Sequence, residues 1–366
     1  MKSTYRRHRL QPVRLIKTLH QILSGCNTKK INRQKRNAKK HYLKSTFKNI
    51  ILVVIAITLA DKFRINEIAR RLPIAVKKEK YKQKRLLRFL SGEYPTQTIM
   101  KQWGLFVLCK VYSSIKGKVL ILIDETDLFG PYKAIVAAIP FRKRAIPIFW
   151  KVYTNKQIQQ MVYLSHNTLV WAFLDDLESL IHEALGKKRR FIWIFDRGFS
   201  DVKLMKRLKA HKIHFIIRVC RNVGVEVEGY VGKLGEFGGR GYFPNIVYHK
   251  EERIRVTLYC AWDIHEEEPM LIVSNEPSAL LLLYKQRMKI EEAFRDLKSL
   301  FGFRALVLKD DFQERVELLW LLNVISMGGV CPADRSPQAT RPRFCSMKSL
   351  HIVGQNSSMT VKNGSL

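Results

Sequence analysis

The chain has 366 residues, 66 of them Lys or Arg and 31 Asp or Glu, for a formal charge of +35 with 46% apolar residues. The apolar share supports a substantial core, and the length accommodates two or three domains. A surface so one-sided destabilises the compact state by self-repulsion, so the charge points to a polyanionic partner, nucleic acid first; ribosomal-type structural proteins and membrane-surface binders are the other basic classes.

The six cysteines are scattered and form no C-x2-C pair, which argues against a cysteine zinc site. They read as reduced thiols in a cytosolic compartment. The N-terminal MKSTYRRHRL has no apolar centre, so it is not a secretion signal. The longest apolar run, residues 50–60 (IILVVIAITLA), is too short to span a bilayer and reads as a buried helix.

In chain order, residues 1–104 read as a basic, helical DNA-binding region. Residues 63–72 (FRINEIARRL) have the pattern of the first helix of a helix-turn-helix, closed by Pro73. Residues 77–90 (KKEKYKQKRLLRFL) carry seven cations and one acid. Lys77, Lys78, Lys80, Lys84, Arg85 and Arg88 are the candidate contacts to DNA phosphates there. The alternative is a solvated face that packs through Leu86, Leu87, Phe89 and Leu90.

Residues 105–220 read as the first part of an α/β core. The apolar run 118–123 (KVLILI) predicts a buried strand that ends at Asp124. Residues 133–139 and 142–153 predict a hairpin turning near Pro140, and 157–185 read as helical and amphipathic. Residues 190–195 (RFIWIF) predict a second buried strand ending in Asp196, then a helix from Ser200 and a strand over 213–219. Residues 221–275 are Gly-rich with β-like runs and read as an inserted β subdomain. Residues 276–327 close the core.

Within that last stretch, YKQRMKIEEAFRDLK contains the pattern Y-x2-R-x3-E-x6-K, made by Tyr284, Arg287, Glu291 and Lys298. On a regular helix these four side chains fall within an arc of about 60°. Leu283, Ile290, Ala293, Phe294, Leu297 and Phe301 form the adjoining apolar stripe, and Lys285, Lys289, Glu292 and Asp296 the side expected to face solvent. One helix thus presents an acid among cations beside a core stripe.

Asp124, Asp196 and Glu291 stand out together. Half-buried carboxylates repel one another, and a divalent cation resolves that conflict. Oxygen-only ligands favour Mg2+ or Mn2+ over zinc. Two such ions about 4 Å apart can clamp the attacking and leaving oxygens of a phosphoryl transfer. Tyr284, Arg287 and Lys298 would then hold a phosphate backbone nearby. Each element alone is weak, since an Asp after a strand is ordinarily a turn or helix cap; the conjunction is what carries weight.

With LILIDET around Asp124, FDRGF around Asp196 and the Tyr284, Arg287, Glu291, Lys298 pattern, the chain resembles the DDE transposases of bacterial insertion sequences. The resemblance is to the subgroup with the Y-R-E-K pattern, the "insertion sequence four" group, and extends over residues 60 to about 326, including IARRLP and KRLLRFL. It implies a ribonuclease-H-like core: a mixed five-stranded sheet flanked by helices, with a β-strand insertion and a helical N-terminal DNA-binding region. It implies Asp124, Asp196 and Glu291 as catalytic metal ligands for two Mg2+ or Mn2+ ions. It further implies cut-and-paste excision of double-stranded DNA at terminal inverted repeats, within a homodimeric complex. Tyr284, Arg287 and Lys298 would contact the backbone near a flipped terminal base.

Neighbouring residues offer alternatives. Glu125 and Asp127 flank Asp124, and Glu292 adjoins Glu291 but points about 100° away. Trp262 could stack on an extruded base or pack on the sheet. His166 and His214 have no partner at ligand spacing and read as structural. Relatives continue past the Y-R-E-K helix with long helices, whereas residues 328–366 are rich in Ser, Pro and Gly with no sustained period. A disordered tail or a shifted reading frame accounts for that departure. The competing functional classes are an inactive copy that only occupies transposon ends as a repressor, and a ribonuclease-H-like nuclease acting on RNA or hybrids.

Overall fold

The computed structural model describes residues 33–60, 64–112, 118–160, 165–186, 190–261, 268–276, 280–300 and 313–330, together with Leu19. Phe63, Trp262, Phe301 and residues 331–366 therefore lie outside the described residues.

Helices α1 (Arg33–Leu59), α2 (Ile65–Arg71), α3 (Glu79–Leu90) and α4 (Thr96–Tyr112) come first. The apolar run of α1 is core: Ile50, Val54 and Ala56 are fully buried. It packs against α10 (Gln313–Val330), and Ser326 Oγ donates to the Val54 carbonyl. No described helix is long and apolar enough to cross a membrane.

The α/β part is built on a mixed sheet. Strands β1 (Val119–Asp127), β2 (Tyr132–Phe141) and β3 (Arg144–Thr154) form an antiparallel meander. β4 (Phe191–Phe195) and β5 (His214–Arg218) add to it in parallel, β4 beside β1. Five consecutive residues in both β1 and β4 are buried. Such uninterrupted apolar runs mark strands covered on both faces.

The sheet exceeds the expected five strands. β6 (Gly224–Val227), β7 (Tyr230–Lys233), β8 (Gly241–Tyr248), β9 (Ile254–Ala261) and β10 (Met270–Ser274) continue it, in the overall order β3-β2-β1-β4-β5-β10-β9-β8-β6-β7. The join is at β10, antiparallel to β5. There Ser274 Oγ donates to the Phe215 carbonyl at 2.5 Å, and the Asn275 amide bridges the Phe215 N–H and the Ile213 carbonyl. Those bonds satisfy buried backbone groups at the seam. The inserted segment thus lies edge-on in the same sheet. This mixed α/β architecture is consistent with a ribonuclease-H-like transposase.

Three local expectations shift. Pro140 stays in β2 opposite Ala145, and the turn falls at Arg142, whose φ is 55°. Among the described residues, the helical stretch predicted over 157–185 holds two helices, α5 (Asn155–Gln159) and α6 (His166–Leu185). Thr154 starts the first with a capping box, and Ser165 caps the second by accepting from the Thr168 N–H; each satisfies orphan donors at a helix start. The helix expected from Ser200 starts later, as α7 (Val202–Ala210), because the Asp201 side chain caps it.

α4 packs onto β3 and α6. Trp103 Nε1 donates to the Pro147 carbonyl at 2.7 Å. A Cβ at Gly104 would lie 2.5 Å from the Ile148 carbonyl oxygen and 2.8 Å from Leu180 Cδ2, so only glycine allows this approach. Gly104→Ala is expected to destabilise the fold by about 1–3 kcal/mol in urea denaturation; an unchanged midpoint would contradict the close packing.

Candidate active site

The parallel register of β1 and β4 positions the two aspartates. The last parallel pair is Ile123 with Phe195, and Asp124 and Asp196 each follow directly. Parallel strands end on the same side of a sheet, so neighbouring tips put both carboxylates together. Asp124 is not the end of its strand: β1 runs on to Asp127, paired with β2. Asp196 leaves β4 into a 3₁₀ turn, Arg197–Phe199.

The third acid arrives on a helical run. α8 (Leu280–Tyr284) leads into a 3₁₀ turn, Lys285–Arg287, then α9 (Met288–Arg295) and a π-helical turn, Asp296–Leu300. The tight 3₁₀ and wide π turns shift the helical phase in opposite directions. Arg287, Glu291 and Lys298 still line one cleft of about 450 Å³ with Asp124, Glu125, Thr126, Asp196, Phe294 and Arg295. Ile290, Ala293, Phe294 and Leu297 are buried as the periodicity predicts. Asp296, expected to face solvent, is buried, with its carboxylate 2.7 Å from Arg144 Nε; Glu292 also approaches Arg144. α9 packs on β3, so the side opposite the cleft meets the strand that begins at Arg144.

Arg287 is the hub of the cleft. Its side chain is 8% exposed and reaches Glu291 Oε1 at 2.5 Å, Asp124 Oδ2 at 3.3 Å and Asp196 Oδ1 at 3.7 Å. Tyr284, also buried, donates its hydroxyl to Asp196 Oδ1 at 3.3 Å, and the guanidinium lies 5.7 Å from its ring centroid. Burial opposes the charge on Arg287, but Tyr284, Asp196, Asp124 and Glu291 outweigh it and raise the pKa. Burial pushes the Tyr284 hydroxyl up to about 12.

Asp124 is the deepest of the acids, and burial pushes its carboxyl up to about 6 against the opposing Arg287 charge and the Glu125 N–H. That N–H donates to Asp124 Oδ1 at 2.8 Å and fixes the carboxylate orientation.

Sequence reading missed one partner set. His166 Nε2 lies 2.9 Å from Glu125 Oε2, and Lys133 Nζ is 3.6 Å from the other oxygen. Burial would raise the Glu125 carboxyl, but hydrogen bonds from His166 and Tyr153 hold it below the usual carboxylate range. His166 is 41 residues from Glu125 in the chain, so no spacing could signal the contact; only its place at the start of α6 does. His214 sits beside Glu276 at the opposite end of the strands, away from the cleft.

The basic helix is separate. Lys77, Lys78, Lys80, Lys84, Arg85 and Arg88 are exposed on or just before α3, and none lines the cleft. Arg85 donates to Asn49 Oδ1 and Arg88 to the Lys84 carbonyl. Tyr81 and Leu87 are exposed beside them, while Leu86, Phe89 and Leu90 pack into the core.

The donor set of Asp124, Asp196 and Glu291 is all oxygen, suited to a hard divalent cation. A positive charge already sits among these acids, as the Arg287 guanidinium. Among the described residues, no three His, Cys, Asp or Glu side chains converge closely enough to hold a metal ion as they stand.

The raised Asp124 value means the folded chain holds this proton more tightly than the unfolded chain, whose Asp titrates near 4. The stabilisation is complete below about pH 4 and lost as pH rises through about 6. Between pH 4 and 7, metal-free parent protein is expected to lose about 3 kcal/mol relative to Asp124→Asn in denaturant titrations. Parallel pH profiles would contradict the burial.

No curated protein matches the chain. Residues 165–327, which carry Asp196, Tyr284, Arg287, Glu291 and Lys298 but not Asp124, match the model of a family described as Transposase DDE domain. Over that stretch the chain is similar to this family, which supports reading it as a DDE transposase.

Proposed function

We propose that this chain is a DNA transposase of the Y-R-E-K subgroup that cleaves and transfers strands at the terminal inverted repeats of an insertion sequence. The observation that carries the reading is the convergence of Asp124, Asp196 and Glu291 on one cleft that Arg287, Arg295 and Lys298 also line. The match of residues 165–327 to the transposase DDE domain supports its broader part, a DDE transposase.

In this reading Asp124, Asp196 and Glu291 would hold two divalent ions, Mg2+ or Mn2+. When bound, these supply the positive charge that offsets charge on the attacking and leaving oxygens of an in-line phosphoryl transfer. Hydrolysis forms a bond from water oxygen to phosphorus and breaks the bond from phosphorus to the 3′ oxygen, which leaves as a hydroxyl. Strand transfer repeats the exchange, with that hydroxyl attacking a new phosphodiester.

The protein's part is to hold the scissile phosphate and keep the acids in place. Lys298 and Arg295 offer positive charge to phosphate oxygens on the cleft wall. Tyr284 orients Asp196 through its hydroxyl. Glu125, gripped by His166, steadies the peptide whose N–H holds Asp124. The exposed cations on and before α3 give a second, sequence-independent hold on the duplex. Cut-and-paste excision by a homodimer completes the reading.

The test is Mg2+- or Mn2+-dependent nicking of a duplex that carries the inverted repeat flanking the coding region. Cleavage at the repeat end is expected to fall roughly 10³-fold or more in Asp124→Ala, Asp196→Ala and Glu291→Ala. Undiminished nicking in these variants would refute the assignment, and preference for RNA–DNA hybrid would favour a nuclease instead. Lys298→Ala is expected to flatten the salt dependence of DNA binding by about one unit of slope; an unchanged slope would rule out a phosphate contact there.

A further inference from the structure

We infer that Arg287 is an internal counter-ion for the acid cleft, which a divalent ion displaces. Metal loading and release of the guanidinium toward DNA phosphate are then one coupled event. The inference rests on the reading that Asp124, Asp196 and Glu291 hold metal.

Four observations lead there. The first is position. One guanidinium, 8% exposed, lies within 4 Å of all three acids, at 2.5 Å from Glu291, 3.3 Å from Asp124 and 3.7 Å from Asp196. It therefore sits where any ion shared by these carboxylates would have to be.

The second is the quality of the contacts. On the surface, Arg253 pairs with Glu226 by two matched hydrogen bonds, Nη1 to Oε1 at 2.6 Å and Nη2 to Oε2 at 2.9 Å. A two-pronged fork is the strong arrangement for this pair. Arg287 forgoes it and spreads over three acids, with one short contact and two long ones.

The third is an unmet donor. Arg287 Nε is buried and has no hydrogen-bond partner. A buried unsatisfied donor costs about 1–3 kcal/mol, so the seat is a compromise. A phosphate oxygen offered after the side chain moves would meet that need.

The fourth is the backbone. Arg287 ends the 3₁₀ turn Lys285–Arg287, between α8 and α9. Its guanidinium already approaches the Tyr284 ring, on the side away from Glu291 in the chain.

The consequence is linkage. An ion that evicts Arg287 frees a cation for DNA, so by reciprocity DNA raises affinity for the ion as much as the ion raises affinity for DNA. Without DNA the resting cleft resists metal.

The experiment measures Mn2+ binding to the full-length, DNA-free protein by the loss of the free-ion electron paramagnetic resonance signal. Arg287→Gln is expected to bind Mn2+ about 5- to 150-fold more tightly than parent. Arg287→Lys, which keeps a positive charge, is expected to stay closer to parent. Equal or weaker binding in Arg287→Gln would overturn the counter-ion role. Parent protein supplies a second measurement that needs no altered fold: a catalytically inert duplex of the repeat should raise its Mn2+ affinity, and no change would overturn the coupling. Asp124→Ala separates the two layers. If it abolishes Mn2+ binding while Arg287→Gln leaves affinity unchanged, the metal site stands and the counter-ion falls. If Asp124→Ala binds Mn2+ as well as parent, the metal-site reading falls and the counter-ion with it.

Discussion

Carboxylates gathered in a half-buried cleft need positive charge among them, and the site is organised around that electrostatic demand. Asp124 is mostly buried, Asp196 and Glu291 less so, and the Arg287 guanidinium meets all three. The sheet brings the first two acids together and the helical run delivers the third with its counter-charge four residues away. Remove the positive charge and the same geometry would drive the acids apart or force them to take up protons. A fold that tolerates this cluster is held by other parts: the buried runs of β1 and β4, and the glycine-mediated approach of α4 to β3.

The ten-stranded sheet places this cluster where backbone pairing is incomplete. β1 and β4 stop pairing at Ile123 and Phe195. Beyond that point β1 remains held by β2, whereas β4 turns away through Arg197–Phe199. One aspartate is thus on a firmly held strand and the other on a turn that Tyr284 steadies by hydrogen bonding. The inserted strands reach the same sheet through β10, whose seam with β5 is tied by Ser274 and Asn275. Their attachment extends the platform on the side of β4 and β5, leaving the meander β1 to β3 to carry α9.

A second charged layer surrounds the cleft. His166, Tyr153 and Lys133 converge on Glu125, and Glu125 supplies the N–H that orients Asp124. Arg144 holds Asp296 and Glu292 on the far side of α9. Both sides of the acid-bearing elements are therefore anchored by ion pairs, which suits side chains that must keep fixed positions while bearing like charge. The exposed cations on and before α3 are a different kind of feature, a surface display that lies apart from the cleft.

The local pattern of residues determined a good deal. Unbroken apolar runs marked β1 and β4 because strands covered on both faces cannot alternate. The 3.6-residue period marked the buried stripe of Ile290, Ala293, Phe294 and Leu297 because a helix packs along one side, and it put Arg287, Glu291 and Lys298 on a common side. Tertiary structure decided the rest. That Asp124 and Asp196 are neighbours depends on the parallel register between strands about 70 residues apart in the chain. That Asp296 is buried depends on Arg144 arriving from β3. That His166 grips Glu125 depends on where Ser165 starts a helix. Each is a contact between segments distant in sequence. Periodicity reports only which side of an element is apolar; what meets the polar side is set by the packing of whole elements against one another.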